Sequence, residues 1–246
     1  MKLLGHLRGF AAFVVAVGRA TLANPLPVGR ALHEAYAIGV RSLPILLIIS
    51  VFVGTNLTVQ GRNAFADLGG ESLVGMFVAL AGVREMAPIM VASMVAAKAG
   101  TEMASQIAVM RTQEQIDALQ VMAIDPHWFL VTPRLLGIVV VLPALTMISI
   151  LALMLAGLIV GQVQLGLDPV AFVVQARATT APEHLLYCAI KAVCFGIIIC
   201  LVSCYCGFAS DPGPSGVGRA TNAAVVVSAV LSAILNYWLS TVMFGR

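Results

Sequence analysis

The chain has 246 residues, 60% of them apolar and only 10% charged, with a mean hydropathy of +1.00 and a formal net charge of +3. Apolar content this high excludes an ordinary soluble domain, and the small, dispersed positive charge excludes a basic surface that tracks nucleic-acid phosphates. The five cysteines (Cys188, Cys194, Cys200, Cys204 and Cys206) fall in one apolar stretch and read as small hydrophobes, not as a disulfide framework.

At the N-terminus, Lys2, the apolar run from Gly9 to Gly18 and Thr21-Leu22-Ala23 have the outline of a cleavable signal peptide. Arg8 and Arg19, however, lie eleven residues apart, close to three helical turns, and share a helix face; Phe10, Phe13, Val14 and Val17 populate the rest. The pattern predicts an amphipathic helix in the membrane interface over residues 1–24, broken by Asn24-Pro25-Leu26-Pro27. A helix crossing a bilayer needs roughly 20 largely apolar residues. Five stretches qualify, at about 42–61, 73–95, 135–163, 185–209 and 223–244, and the third is long enough to tilt or to bend at Pro143. The expected fold is an all-α membrane protein, one domain over 1–246, with an interfacial helix and five transmembrane helices. An odd number of spans puts the termini on opposite sides. With the N-terminus inside, nine basic residues face the cytoplasm (Lys2, Arg8, Arg19, Arg30, Arg41, Lys98, Arg111, Arg134, Arg219) against three outside (Arg62, Arg177, Arg246). The count favours a cytoplasmic N-terminus and a periplasmic C-terminus. Since the interfacial helix follows the first methionine directly, no organellar transit peptide is expected, which favours a bacterial inner membrane.

The three lysines, Lys2, Lys98 and Lys191, follow Met1, Ala97 and Ile190, so no glycine-rich loop ending in Gly-Lys-Ser/Thr exists. Any ATP must be hydrolysed by another subunit. Arg84, Glu85 and Lys191 fall inside predicted spans, where a charge costs about 2.5 to 3.5 kcal/mol on insertion scales. Either they line a polar region of a cavity, or Arg84 and Glu85 neutralise each other while Lys191 reaches out to a headgroup. Pro88 removes a backbone donor three residues after Glu85 and can bend the helix beside the charges. Glu85 would also suit a proton-coupled carrier, although the chain shows none of the internal symmetry such carriers usually have, and a non-transporting scaffold is a further alternative. In the 98–134 connection, Thr112 and Gln115 form a capping box, and Ile116, Leu119 and Gln120 follow at helical spacing before Asp125-Pro126. A short helix is predicted, with one apolar edge and with Glu114 and Asp117 on its wet side. It lies on headgroups or docks into a groove of a cytoplasmic partner. His127 beside Trp128 and Phe129 reads as an interfacial anchor, and Asp211 to Gly216 as a turn. Cys200, Cys204 and Cys206 lack a His or Met cluster at ligand spacing, so no metal site or cofactor is expected.

Taken together, Arg84-Glu85, Pro88, Ala99-Gly100, Met110, the block from Glu114 through Leu119, Asp125-Pro126 and Pro133-Arg134 resemble the signature of the MlaE/YrbE permease family of ABC-type lipid transporters. Gly216 to Ala223, Val225-Val226 and Asn236 resemble that family's closing segment, and the likeness covers the chain from about Leu32. The resemblance implies a homodimer around a lipid cavity, a cytoplasmic ATPase dimer, a periplasmic MCE-domain protein and, in many systems, a small STAS-domain protein. It implies a substrate cavity near Arg84, Glu85, Pro88, Lys191 and Asn236, and a coupling helix whose Glu114, Gln115, Ile116, Asp117 and Leu119 seat on the ATPase. The chain departs from the family pattern at Lys98 (usually Arg), at Ser105-Gln106-Ile107-Ala108 (Ala-Glu-Ile-Gly) and at Met86-Ala87-Pro88 (Leu-Gly-Pro). Gln106 thereby removes a charge near the coupling region.

Overall fold

The computed structural model describes residues 2–66 and 70–244. Met1, Arg246 and the Lys2 side chain, which enter the helix and orientation readings above, lie outside what it describes. The described residues form eight α-helical elements, one 3₁₀ turn at Glu71–Leu73 and no strand: α1 Lys2–Ala23, α2 Val28–Ala66, α3 Val74–Thr112, α4 Gln115–Val121, α5 His127–Val163, α6 Pro169–Thr179, α7 Pro182–Phe208 and α8 Pro214–Phe244. Five of these, α2, α3, α5, α7 and α8, are long and apolar enough to cross a bilayer. The fold is the expected all-α membrane architecture, an N-terminal helix plus five spans.

Several boundaries differ from the sequence reading. Helix α2 starts at Val28, not near 42, and α3 runs on to Thr112, well past 95. Polar residues end an apolar window without ending a helix when they find partners inside the protein. Arg30 does so, with its guanidinium 3.8 Å over the Phe129 ring and a hydrogen bond donated to the Phe129 carbonyl. Thr101 also does so, its hydroxyl turning back onto the Ala97 and Lys98 carbonyls at 2.7 Å each. Helix α8 begins at Pro214, so Ser215 and Gly216 belong to a helix and the preceding turn ends at Gly213. Helix α6 was not foreseen; Asp168 caps it by accepting from the Val170 and Ala171 amides at 3.0 and 3.4 Å.

The helices gather into two compact units, each drawing on three separate stretches of the chain. The first comprises Met1–Val40, Ala92–Val141 and Cys194–Ala233. Within it, the Phe13, Val17 and Ala20 face of α1 is buried while Arg8 and Arg19 remain exposed. Phe13 meets the rings of His127, Tyr205 and Phe208 at 5.5, 5.7 and 5.6 Å, and His127 stacks on Phe208 at 5.4 Å. Trp128 donates its indole N–H to the Pro25 carbonyl at 3.1 Å, and the Thr21 and Thr132 hydroxyls pair at 2.9 Å. His127 and Trp128, expected as an interfacial anchor, therefore fasten α1 and the α1–α2 link to α5.

The second unit comprises Arg41–Val91, Leu142–Val193 and Ile234–Arg246. Its core joins Leu57, Val74, Val78, Leu153, Leu167 and Phe172. Two glycines bring backbones together here: a Cβ at Gly54 would lie 2.1 Å from the Leu153 carbonyl oxygen, and one at Gly75 would lie 2.2 Å from that of Phe172. Gly54→Ala is expected to cost about 1–3 kcal/mol, since two helix backbones must separate to admit one methyl group. Thermal unfolding of the detergent-solubilised protein measures it, and an unchanged midpoint would mean that α2 and α5 do not meet there.

Candidate functional site

The polar cluster of the second unit is built from the helix faces. Helix α3 departs from α-geometry at Gly82–Met86, a π-turn that widens the helix by one residue and carries Arg84 and Glu85. An uninterrupted α-helix would pair the Arg84 carbonyl with the amide of residue 88, but Pro88 has none. That carbonyl instead accepts from Lys191 Nζ at 2.9 Å. Pro88 itself is buried. Its effect on the site is to release an acceptor.

Lys191 is fully buried. Its ammonium has three N–H groups and three acceptors: the Arg84 carbonyl, Ser240 Oγ at 2.7 Å and Glu85 Oε1 at 3.3 Å. The Glu85 carboxylate is completed on its other oxygen, where Asn236 Nδ2 and Ser240 Oγ each donate at 2.9 Å. Lys191 is fully buried and Glu85 only half-buried, and such a pair is tolerated when its polar groups find partners, as these do. The alternative in which Lys191 reaches outward to a headgroup is therefore incorrect: the side chain turns inward because a carboxylate, a carbonyl and a hydroxyl meet it there. Arg84 lies 3.0 Å from His184 Nε2. The Asn236 amide oxygen is buried with no hydrogen-bond partner among the described residues.

Four of the expected cavity residues, Arg84, Glu85, Lys191 and Asn236, thus fall in one cluster, with Pro88 shaping its backbone. Ser240, His184 and Cys188 were not foreseen, although spacing could have found them. Asn236 and Ser240 are four residues apart on α8, and His184, Cys188 and Lys191 follow at i, i+4 and i+7 on α7. Cys188 donates its thiol to the Val83 carbonyl at 3.1 Å, tying that face to α3.

The short connecting helix α4 exists, but not with the expected cap. The Thr112 hydroxyl donates back to the Ala108 carbonyl at 2.9 Å and so closes α3. Glu114, in the left-handed region at φ 57°, precedes α4 without capping it through its side chain. Ile116 and Leu119 are buried and hold α4 on the protein. Glu114, Gln115 and Asp117 are exposed, followed by the exposed Val121 and Met122. Beside this region the buried Arg134 donates to Gln106 Oε1 at 2.7 Å and lies 3.8 Å from Glu34. Glu34 supplies the counter-charge that a glutamine at 106 lacks.

Five helices long and apolar enough to span a bilayer, three of them joined by the Glu85–Lys191–Asn236–Ser240 cluster, define a polytopic membrane protein. The model for "Permease MlaE" matches residues 31–242, and the chain belongs to this family. It is 32% identical to a "Probable ABC transporter permease protein" of Rickettsia felis, over 99% of this chain and 94% of that protein. A protein of the same description from Synechocystis is 33% identical over 87% of this chain and 81% of its own length. The "Intermembrane phospholipid transport system permease protein MlaE" of Haemophilus influenzae is 29% identical over 96% of this chain and 90% of its own. The chain is accordingly a multi-pass membrane permease of the ABC-transporter, MlaE phospholipid-transport type.

Proposed function

We propose that two copies of this chain, each acting as one permease domain over 1–246, enclose a lipid cavity in a bacterial inner membrane and work between a cytoplasmic ATPase dimer and a periplasmic MCE-domain protein. A STAS-domain protein is a further partner of the same assembly. The observation that carries the reading is the Glu85–Lys191–Asn236–Ser240 cluster: charge lies inside a membrane-spanning unit and is held there by hydrogen bonds to the Lys191 ammonium and to both Glu85 oxygens. Arg84 and the unpaired amide oxygen of Asn236 offer a donor and an acceptor to a lipid headgroup, while the surrounding apolar helices suit acyl chains. Glu85 receives three donors, the arrangement of a carboxylate fixed in place by its neighbours.

The orientation follows the basic residues, which put the α1–α2, α3–α5 and α7–α8 connections in the cytoplasm and the C-terminus in the periplasm. The exposed Glu114, Gln115 and Asp117 then face the ATPase, with Ile116 and Leu119 fixing the helix that carries them. No Gly-Lys-Ser/Thr loop is present, so hydrolysis belongs to the partner. Native mass spectrometry of the complex drawn from its own membranes tests this reading. The expected particle holds two copies of the chain, the ATPase and bound phospholipid; a chain recovered alone and free of lipid contradicts it.

A further inference from the structure

The first unit carries an apolar trough of about 680 Å³, well within the range of sites that hold a ligand-sized apolar body. Its walls come from Phe10 on α1, Tyr205 on α7 and Ala223, Val227 and Leu231 on α8. None of its lining residues belongs to the Glu85–Lys191 cluster. Polarity is gathered at the α7–α8 connection, where Arg219 Nη2 bonds Asp211 Oδ2 at 2.8 Å. Both side chains are mostly exposed, 67% for Arg219 and 74% for Asp211, so solvent and headgroups compete readily for the pair.

Length and charge name the occupant. From Arg219 to Leu231 the helix rises about 18 Å at 1.5 Å per residue, close to the roughly 15 Å of hydrocarbon in one leaflet. A trough with charge at one end and apolar walls for the depth of a leaflet matches a membrane lipid lying along α8. A guanidinium and a carboxylate side by side match a headgroup that carries both charges, with phosphate on Arg219 and ammonium on Asp211. We infer that this trough is a second lipid site, one that holds a zwitterionic glycerophospholipid of the leaflet adjoining the α7–α8 connection. The inference needs only that the chain spans a bilayer.

The test uses the full chain in vesicles of equal phosphatidylethanolamine and phosphatidylglycerol, with benzoyl-phenylalanine in place of Val227, and the same label at the exposed Val140 of α5 as reference. Photolysis at 227 is expected to yield phosphatidylethanolamine adducts enriched about fivefold over the reference position, and Asp211→Asn or Arg219→Gln removes the enrichment. Adducts at 227 in the same ratio as at 140 would mean ordinary boundary lipid and overturn the inference. Adducts to another protein chain would mean that a second copy fills the trough, which also overturns it. If the label at 227 prevents folding, the label at Leu231 gives the same reading from the far end of the trough.

Discussion

Lys191→Met is expected to destabilise the protein by about 3–5 kcal/mol and to abolish lipid transport, because it leaves the Glu85 carboxylate inside the membrane unit without its counter-charge. Methionine fills most of the same space, so the loss reports charge and hydrogen bonding more than packing. The variant also strips the donor from the Arg84 carbonyl that Pro88 released, and from Ser240 the group that orients its hydroxyl toward Glu85. Pairing it with Glu85→Gln should recover most of the stability, since a neutral amide can still be held by Asn236 and Ser240, and the two changes should be strongly non-additive. Transport should not return in the double variant. Thermal unfolding in detergent together with lipid transfer from loaded vesicles separates the two effects. Recovery of both stability and transport would reduce the cluster to a structural role.

The spans were legible in the sequence because hydrocarbon permits few arrangements, and a run of about 20 apolar residues has no other use. The ends of the helices were not. Helix α2 continues toward Val28 because Arg30 and Glu34, which lower the hydropathy of that stretch, find Phe129 and Arg134 within the protein. Composition registers the charge but not its partner. The π-turns at Gly82–Met86, Ala96–Gly100 and His127–Val131 also left no signature, since no residue type demands them. At the site, Arg84, Glu85 and Lys191 stood out as charges in apolar surroundings. Ser240 and His184 did not, because a serine or histidine near a helix end is ordinary until a neighbouring helix supplies its partner. The capping box at Thr112 failed for a local reason: its hydroxyl found the Ala108 carbonyl one turn back, a competition that threonine enters readily.

Reversing two charges on the connecting helix, Glu114→Lys with Asp117→Lys, is expected to lower ATP-driven lipid transport at least about tenfold while leaving stability within roughly 0.5 kcal/mol of the parent. Both side chains are exposed, and α4 is held by Ile116 and Leu119, so the fold does not depend on them. Lysine at 114 also meets the left-handed backbone on the same terms as glutamate. A like-charge clash with a basic docking groove would appear as weaker retention of the ATPase subunit during purification. Unchanged retention and transport would move the coupling contact elsewhere, with the exposed Val121 and Met122 the next residues to test.

The most direct measurement is ATP-driven transfer of a fluorescent phospholipid in vesicles holding this chain with its ATPase and MCE partners, comparing the parent with the double variant Lys191→Met, Glu85→Gln, which leaves no unpaired charge. The parent should transfer lipid only when ATP is supplied. The double variant should retain the assembled complex and its ATPase activity yet lose transfer. Full transfer by the double variant, or transfer by the parent without ATP, would contradict a lipid path organised by the Glu85–Lys191 cluster and driven from the cytoplasmic side.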